Sequence, residues 1–333
     1  MVGRVAPGLR RSTGTPASSA EPVTARIAVD LLGGDNAPAV VVDGALRAFQ
    51  DDPSLHLLLV GTHEAAGAVL AAVEPAERDR VDTLPMPAVE LHPDDVARAA
   101  LRAVADGLAD AVLSAGNTAA IVVSAARALG RWPGVRRPPL AAVLPSAAGR
   151  LVLLDVGSAV DPDAPTLAMH ARLGAAYAAI VHELAEPRVG LLTIGTERGK
   201  GDRLRRAAPD LFASLDLPAG ARYAGLIEGH DVVLGDAADV VVTDGFTGNV
   251  LLKGLETAYA KLGPPGGGTD VPPRAALLLG VAGTVVVCHG AASGADLAAG
   301  IAFAARMHRR AAVAAMAEHV LEDQQSPHNE VSP

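Results

Sequence analysis

"ADVVVTDGFTGNVLLKG", Ala238 to Gly254, is the stretch on which the fold turns. Val240 to Val242 form a β-branched run of the kind found in a strand buried on both faces, and the glycines and Asn249 follow where a turn must hand over to a helix. In an open α/β sheet, ligands bind outside the carboxyl ends of the strands, and a helix amino terminus at that edge offers unpaired N–H groups to an anion. One such junction is ordinary turn chemistry, because Gly, Asn and Asp favour turns for backbone reasons. Its meaning depends on whether the rest of the chain repeats it.

Moving outward in both directions, short Val/Leu/Ile runs alternate with longer Ala-rich amphipathic segments, which is the βαβ pattern of a mostly parallel sheet covered on both faces. Strands are expected over 26–30, 55–61, 109–116, 140–145, 150–157, 188–195, 238–245 and 284–290. Helices are expected from about Pro38, Asn117, Asp163, Lys200, Thr247 and Gly294. "GPPGGGTDVPPR", Gly263 to Arg274, fits neither a helix nor a central strand and is expected to be an exposed connection. The fold class is α/β, and the domain is expected to span residues 25–322, between a disordered leader (1–24) and a disordered tail (323–333).

Composition narrows the function. With 2% aromatic residues and a net charge of -9, the chain lacks the basic, aromatic-bearing surface of a nucleic-acid binder. The single cysteine, Cys288, excludes an internal disulfide framework and a Cys-based zinc site, and a reducing cytoplasm is the expected compartment. No segment offers the ~20 apolar residues of a membrane span. No metal is expected, since no His/Asp cluster has ligand spacing, and no cofactor.

Five strand ends share the chemistry of the opening stretch: "DLLGGDNAP" (30–38), "SAGNTAA" (114–120), "DVGSAVD" (155–161), "TIGTERGKGD" (193–202) and "DGFTGNV" (244–250). If the strands are all parallel, these loops gather on one edge of the sheet into a pocket of backbone N–H donors, small residues and a few carboxylates, suited to phosphate. Neither "GxGxxG" after the first strand nor "GxxxxGK[ST]" is present, so the usual dinucleotide and nucleoside-triphosphate fingerprints are missing.

At these residues the chain resembles a known family. "IAVDLLGGDNAP", "AVLSAGNTAA", "LVLLDVGSAVD", "EPRVGLLTIGTERGKG", "IEGHDVVLGDAADVVVTDGFTGNVLLKGLE" and "LLGVAGTVVVCHGAASGADLAAGI" follow the order of the bacterial acyl-ACP:phosphate acyltransferases, over about residues 26 to 305. The resemblance implies a Rossmann-like fold related to isocitrate and isopropylmalate dehydrogenases, and a soluble homodimer. It also implies attack of inorganic phosphate on the thioester of a fatty acyl-ACP, giving acyl phosphate for phospholipid synthesis. The chemistry suits the residues. Phosphate is already an oxygen nucleophile, and a pantetheine thiol with a pKa of roughly 8.5 leaves readily. No covalent nucleophile is needed, which fits the lack of a "GxSxG" elbow.

By the same resemblance, Gly33, Gly34, Asp35, Ser114, Gly116, Asn117 and Thr118 line the phosphate and acyl end of the cleft. Asn249 and Lys253 supply donors, Lys200 a mobile positive charge, and His289 a hydrogen bond or a proton for the leaving thiol. Asp30, Asp155, Glu228, Asp244 and Gly245 complete the substrate-binding set, with the two strand-end aspartates able to fix Lys or Arg geometry. The chain departs from the family in three respects, the smallest being Thr193 and Thr196 in place of the usual Asn and Glu of "NIGEE", Ser158 for Asn in "VGAN", and Ala291 and Ala292 for the serines after "HG". An acidic stretch, "AVELHPDDVARAALRAVADG" (88–107), stands where the family has a basic, Ser-rich "RxKxxSSM" stretch. "TAYAKLGPPGGGTDVPPRAA" (257–276) replaces a pair of apolar helices associated with membrane docking, so no stable membrane association is expected. These differences leave two alternatives open: a phosphate acyltransferase acting on acyl-CoA or an unusual thioester, and a catalytically degenerate carrier-binding homologue.

Overall fold

The computed structural model describes residues 23–88, 91–197, 199–267 and 272–325; most of the expected leader and tail lies outside the described residues. The strands are β1 (Ala25–Asp30), β2 (Leu55–Thr62), β3 (Val81–Met86), β4 (Ala111–Ser114), β5 (Leu140–Ser146), β6 (Gly149–Leu154), β7 (Arg188–Leu192), β8 (Arg222–Ile227), β9 (Val240–Val242), β10 (Ala275–Leu278) and β11 (Thr284–Cys288). The helices are α1 (Ala39–Asp51), α2 (His63–Ala72), α3 (Pro93–Ala105), α4 (Thr118–Ala128), α5 (Ala164–Val181), α6 (Arg203–Ala213), α7 (Gly229–Leu234), α8 (Gly245–Leu262), α9 (Gly294–Arg309) and α10 (Ala312–Gln325). The acidic stretch that includes α3 is a covering helix: Val96, Ala97, Ala100 and Leu101 are buried against the sheet.

All strands join one sheet in the order β3-β2-β1-β4-β11-β10-β5-β6-β9-β7-β8. Alternate strand residues face opposite sides, so Ile27 and Val29 enter the core under α1, α2, α5, α6, α9 and α10, while Ala28 enters the core under α3, α4, α7 and α8. β10 is antiparallel to β11 and to β5, β5 and β6 form an antiparallel hairpin, and every other pairing is parallel. The sheet is therefore mostly parallel within two halves that run in opposite directions. This corrects the expectation of one common edge: the loops after β1 and β4 leave in one direction, and those after β6, β7 and β9 in the other.

Register brings the two sets together. Val29, Leu113, Val286, Leu277, Ala141, Leu154 and Val242 stand in one row across the sheet. Val29 and Leu113 are the penultimate residues of β1 and β4, whereas Leu154 and Val242 are the last residues of β6 and β9. The halves are staggered, and both sets of carboxyl ends meet at that row from opposite sides. β10 is the short strand between them. Its first pairing with β5 is Ala276 with Ala142, so β5 beyond Ala142 has no partner on that side.

The opening stretch forms its strand and helix with two shifts. Helix α8 begins at Gly245, not Thr247, and its cap is Asp244, whose carboxylate accepts the Thr247 N–H at 2.8 Å. Asn249 is therefore inside the helix and caps nothing. A Cβ on Gly248 would lie 1.9 Å from the backbone carbonyl oxygen of Asp155, so glycine there lets α8 settle directly on the end of β6. Gly254, two turns on, has nothing within 4 Å of such a Cβ.

Two glycine replacements in this one helix should thus act with opposite signs. Gly254→Ala is expected to stabilise the protein by about 0.5–1 kcal/mol through helix propensity. Gly248→Ala is expected to destabilise it by at least about 1–3 kcal/mol, because the obstacle is backbone. Urea unfolding midpoints of the two variants check both.

Candidate active site

One lip of the seam is built at the ends of β1 and β4. Asp30 is buried, and its carboxylate accepts the Ser114 hydroxyl at 2.6 Å and the Leu32 N–H at 3.1 Å. Ser114 Oγ in turn accepts the Gly116 N–H at 3.1 Å. A Cβ on Gly33 would lie 2.6 Å from Asp30 Oδ2 and 2.8 Å from the Gly116 nitrogen, so the Gly33–Gly34–Asp35 loop lies directly on the Ser114–Gly116 loop. The Asp35 N–H donates to the Gly290 carbonyl at 2.8 Å, tying in the end of β11. Asn117 caps α4 by accepting the Ala120 N–H at 3.1 Å, which leaves Thr118 at the first turn facing the seam.

The other lip belongs to β6 and α8. Asp155 is fully buried and its carboxylate accepts four backbone N–H groups: Leu140 at 3.0 Å, Gly157 at 3.1 Å, Ser158 at 3.0 Å and Ala159 at 2.6 Å. It organises the loop that follows β6. Because α8 runs back over the sheet, Asn249, Lys253 and Glu256, spaced i, i+4 and i+7, form one stripe toward the seam. The Asn249 amide donates to the Val156 carbonyl at 2.9 Å. Glu256 Oε2 lies 3.1 Å from His289 Nε2, with both side chains largely shielded from solvent.

These groups surround a cavity of about 120 Å³ bounded by Thr118, Asn249, Lys253, Glu256, Arg274 and His289. It opens into a wider polar mouth of about 570 Å³, where Asp35 and Lys261 join Lys253, Arg274 and His289. Cations, an amide, a hydroxyl and a carboxylate-held imidazole converge there, a set that can hold an anion and move a proton.

The structure separates the remaining expected residues from this cleft. Lys200 lies in the loop after β7, half exposed, 3.9 Å from Glu197. Glu228 caps α7 in a reciprocal box with Asp231 and lines an apolar cavity with Phe246 and Val250. Asp244 is buried in an ion pair with Arg205 and accepts the Thr247 hydroxyl at 2.8 Å; burial raises its pKa, but the Thr247 and Arg205 bonds together bring it below the ordinary carboxylate value. Gly245 packs on the backbone of Ala159. The cause in each case is the reversal of the sheet, which carries the β7 and β9 loop tips away while the flank of α8 reaches back. Glu256 and Arg274 are the cleft residues that the sequence reading missed. Glu256 was open to it, as the next position on the Asn249–Lys253 stripe. Arg274 was hidden in the Gly/Pro-rich connection, whose end is not the exposed segment expected: Pro272 is buried, and Pro273 and Arg274 line the cleft.

Cys288 adjoins His289 but is no nucleophile: burial pushes its thiol up to about 12. Among the described residues no group of three or more His, Cys, Asp or Glu is placed to hold a metal ion.

Residues 25–263 match the family model described as "Fatty acid synthesis protein". A phosphate acyltransferase from Thermobifida fusca (strain YX) is 41% identical over 300 residues, 80% of this chain and 82% of that protein. One from Salinibacter ruber is 41% identical over 240 residues, 68% of this chain and 70% of its own. This chain belongs to the phosphate acyltransferase family. Its fold is shared with solved structures of low sequence similarity. A branched-chain phosphotransacylase from Enterococcus faecalis V583 aligns with a TM-score of 0.58 at 16% identity over 85% of this chain and 99% of that one. A 4-hydroxythreonine-4-phosphate dehydrogenase from Klebsiella pneumoniae aligns with a TM-score of 0.53 at 14% identity over 88% and 100% of the two chains. The Rossmann-like sheet related to the dehydrogenases is therefore present.

Asp30 gives the site a measurable pH dependence. Burial raises its pKa from 3.8 to about 6, against the opposing hydrogen bonds from Ser114, Leu32 and Gly33. With the folded pKa above the unfolded one, Asp30 favours folding while protonated; that contribution is complete below 3.8 and is lost as the pH rises through about 6. Asp30→Asn stays neutral and should escape the loss. The difference in unfolding free energy between variant and parent should move in the variant's favour by up to about 3 kcal/mol between about pH 4 and 7, measured by urea unfolding across that range.

Proposed function

We propose that the chain transfers the acyl group of an acyl carrier protein thioester to inorganic phosphate, giving acyl phosphate in fatty acid and phospholipid metabolism. The observation that carries this reading is the match of residues 25–263 to the fatty acid synthesis family together with relatives named phosphate acyltransferase. The cleft supplies the chemistry. A phosphate oxygen attacks the thioester carbonyl carbon, forming the C–O bond and a tetrahedral oxyanion; collapse breaks the C–S bond, and the thiolate departs and takes a proton.

Lys253 and Arg274 are the groups that hold the phosphate. Thr118 and the free amide hydrogen of Asn249 stand on the facing walls as donors for the oxyanion, where preorganised donors lower the barrier. His289, oriented by Glu256, hands a proton to the leaving sulfur. Placement and charge do the work, and no acyl-enzyme is required.

The protein is soluble and cytoplasmic in this reading: no described helix is long and apolar enough to cross a membrane. It is also a homodimer. Ile194, Phe246 and Val250 are exposed around one apolar cavity beside α8, and a second copy is the occupant that fits the family resemblance.

Purified protein given acyl-ACP should release thiol only when phosphate is present; no release with acyl-ACP or acyl-CoA of any chain length would reject the reading. The proton donor is tested by changing the leaving group. His289→Asn should lower kcat by about 10²-fold on an alkyl thioester. On an aryl thioester, whose thiolate leaves unprotonated, the loss should nearly vanish. Equal losses on both donors would remove His289 from the proton path.

A further inference from the structure

The largest cavity described, about 820 Å³, lies on the opposite face of the sheet from α8, between α5 and α9. Its size is in the range of roughly 300–1,000 Å³ that holds whole organic ligands. The walls are apolar where Val143, Val181, Ala299 and Phe303 meet it, and one end is basic, with Arg306 and Arg310. Arg310 is engaged, donating to Glu183 at 2.5 Å and to the Ile180 carbonyl at 3.3 Å. Arg306 stands beside the ring of Phe303, its guanidinium carbon 5.6 Å from the ring centroid. Tyr177 forms part of the floor; it is completely buried and its hydroxyl has no hydrogen-bond partner. Burial raises the phenol's pKa while the charges of Arg306 and Arg150 draw it back, so the hydroxyl and the basic end of the cavity act on one another.

This cavity borders the reaction cleft. Val143, Pro273, Arg274 and Ala275 line both, where β10 stops pairing with β5 at Ala276. The two spaces adjoin at the start of β10, beside Arg274. Inorganic phosphate alone would use neither the volume nor the apolar walls. A phosphate ester with a long, partly apolar arm ending in a thioester would use both, with the phosphate at the basic end and the thioester in the cleft.

We propose that this cavity is the seat of the donor's 4′-phosphopantetheine arm, its phosphate held by Arg306 and its sulfur carried past Arg274 to His289. The assignment rests on the thioester-donor reading, but its test does not require turnover. Calorimetry compares 4′-phosphopantetheine with pantetheine, its phosphate-free counterpart. The parent protein should bind the phosphorylated compound about ten- to a hundredfold more tightly, as expected for charge-assisted hydrogen bonds. Arg306→Gln should abolish that difference and leave pantetheine binding unchanged. Equal binding of the two compounds by the parent, or an undiminished preference in Arg306→Gln, would overturn the assignment. So would inorganic phosphate binding at this end with the affinity of the whole arm, which would make the cavity a phosphate site. A second arm compares carrier-linked and CoA-linked acyl donors. Arg306→Gln should raise KM for both, since they share the arm, and an effect confined to acyl-CoA would place CoA's nucleotide phosphates there instead. Failure of turnover with intact phosphopantetheine preference would count against the reaction and not against the cavity.

Discussion

The contact between the Gly248 backbone and the carbonyl oxygen of Asp155 sets the height of α8 on the sheet, and the cleft follows from it. With the helix seated there, Asn249 reaches the Val156 carbonyl, Lys253 stands one turn further over the seam, and Glu256 meets His289 from the other half of the sheet. A methyl group at position 248 would lift the helix off β6 and move all three together. Asp155 fixes the other side of the contact, since three of its four backbone hydrogen bonds hold residues 157–159 in place beneath the helix and the fourth ties in Leu140. The "DVGS" and "DGFTGN" motifs are thus two halves of one joint.

That joint would be useless without the stagger across β10. Oppositely directed half-sheets normally put their carboxyl ends far apart. Here a four-residue strand, paired antiparallel on both sides, shifts one half along the strand direction until the ends of β1 and β4 share a row with the ends of β6 and β9. Each half then contributes what the other lacks. The β1/β4 side brings tightly packed glycine loops, a helix start at Thr118 and, through β11, the imidazole; the α8 side brings the ammonium group and the carboxylate.

The strand-by-strand pattern was legible because buried β-branched runs and Ala-rich helices differ so plainly in period: the eight expected strands all have counterparts. β3, β8 and β10 were not legible. β3 carries exposed Asp82 and Thr83, β8 contains Gly225, and β10, though apolar throughout, is only four residues adjoining a Gly/Pro-rich connection. The consequential omission was the antiparallel pairing of β5 with β6, which reverses the second half, since direction in a sheet is set by pairing and no local pattern encodes it. The cleft was legible in part. Thr118, Asn249, Lys253 and His289 were named, whereas Lys200, Glu228 and Asp244, grouped with them by the family resemblance, stand outside the cleft.

The carboxylates divide the same way, and the division bears on the chemistry. Asp155 and Asp244 are saturated by donors within the protein, and Asp30 by the Ser114 hydroxyl and neighbouring N–H groups, so none has capacity left for a substrate cation. Glu256 differs in facing an imidazole across an open cleft. Lys253 and Arg274 share their side of the cleft with Glu256, whose carboxylate is turned to His289, so the two cations and the Glu256–His289 pair line one cavity of about 120 Å³. The addition and collapse of a tetrahedral intermediate at a thioester need a placed oxygen nucleophile and donors for the developing charge, and they need no nucleophile from the protein.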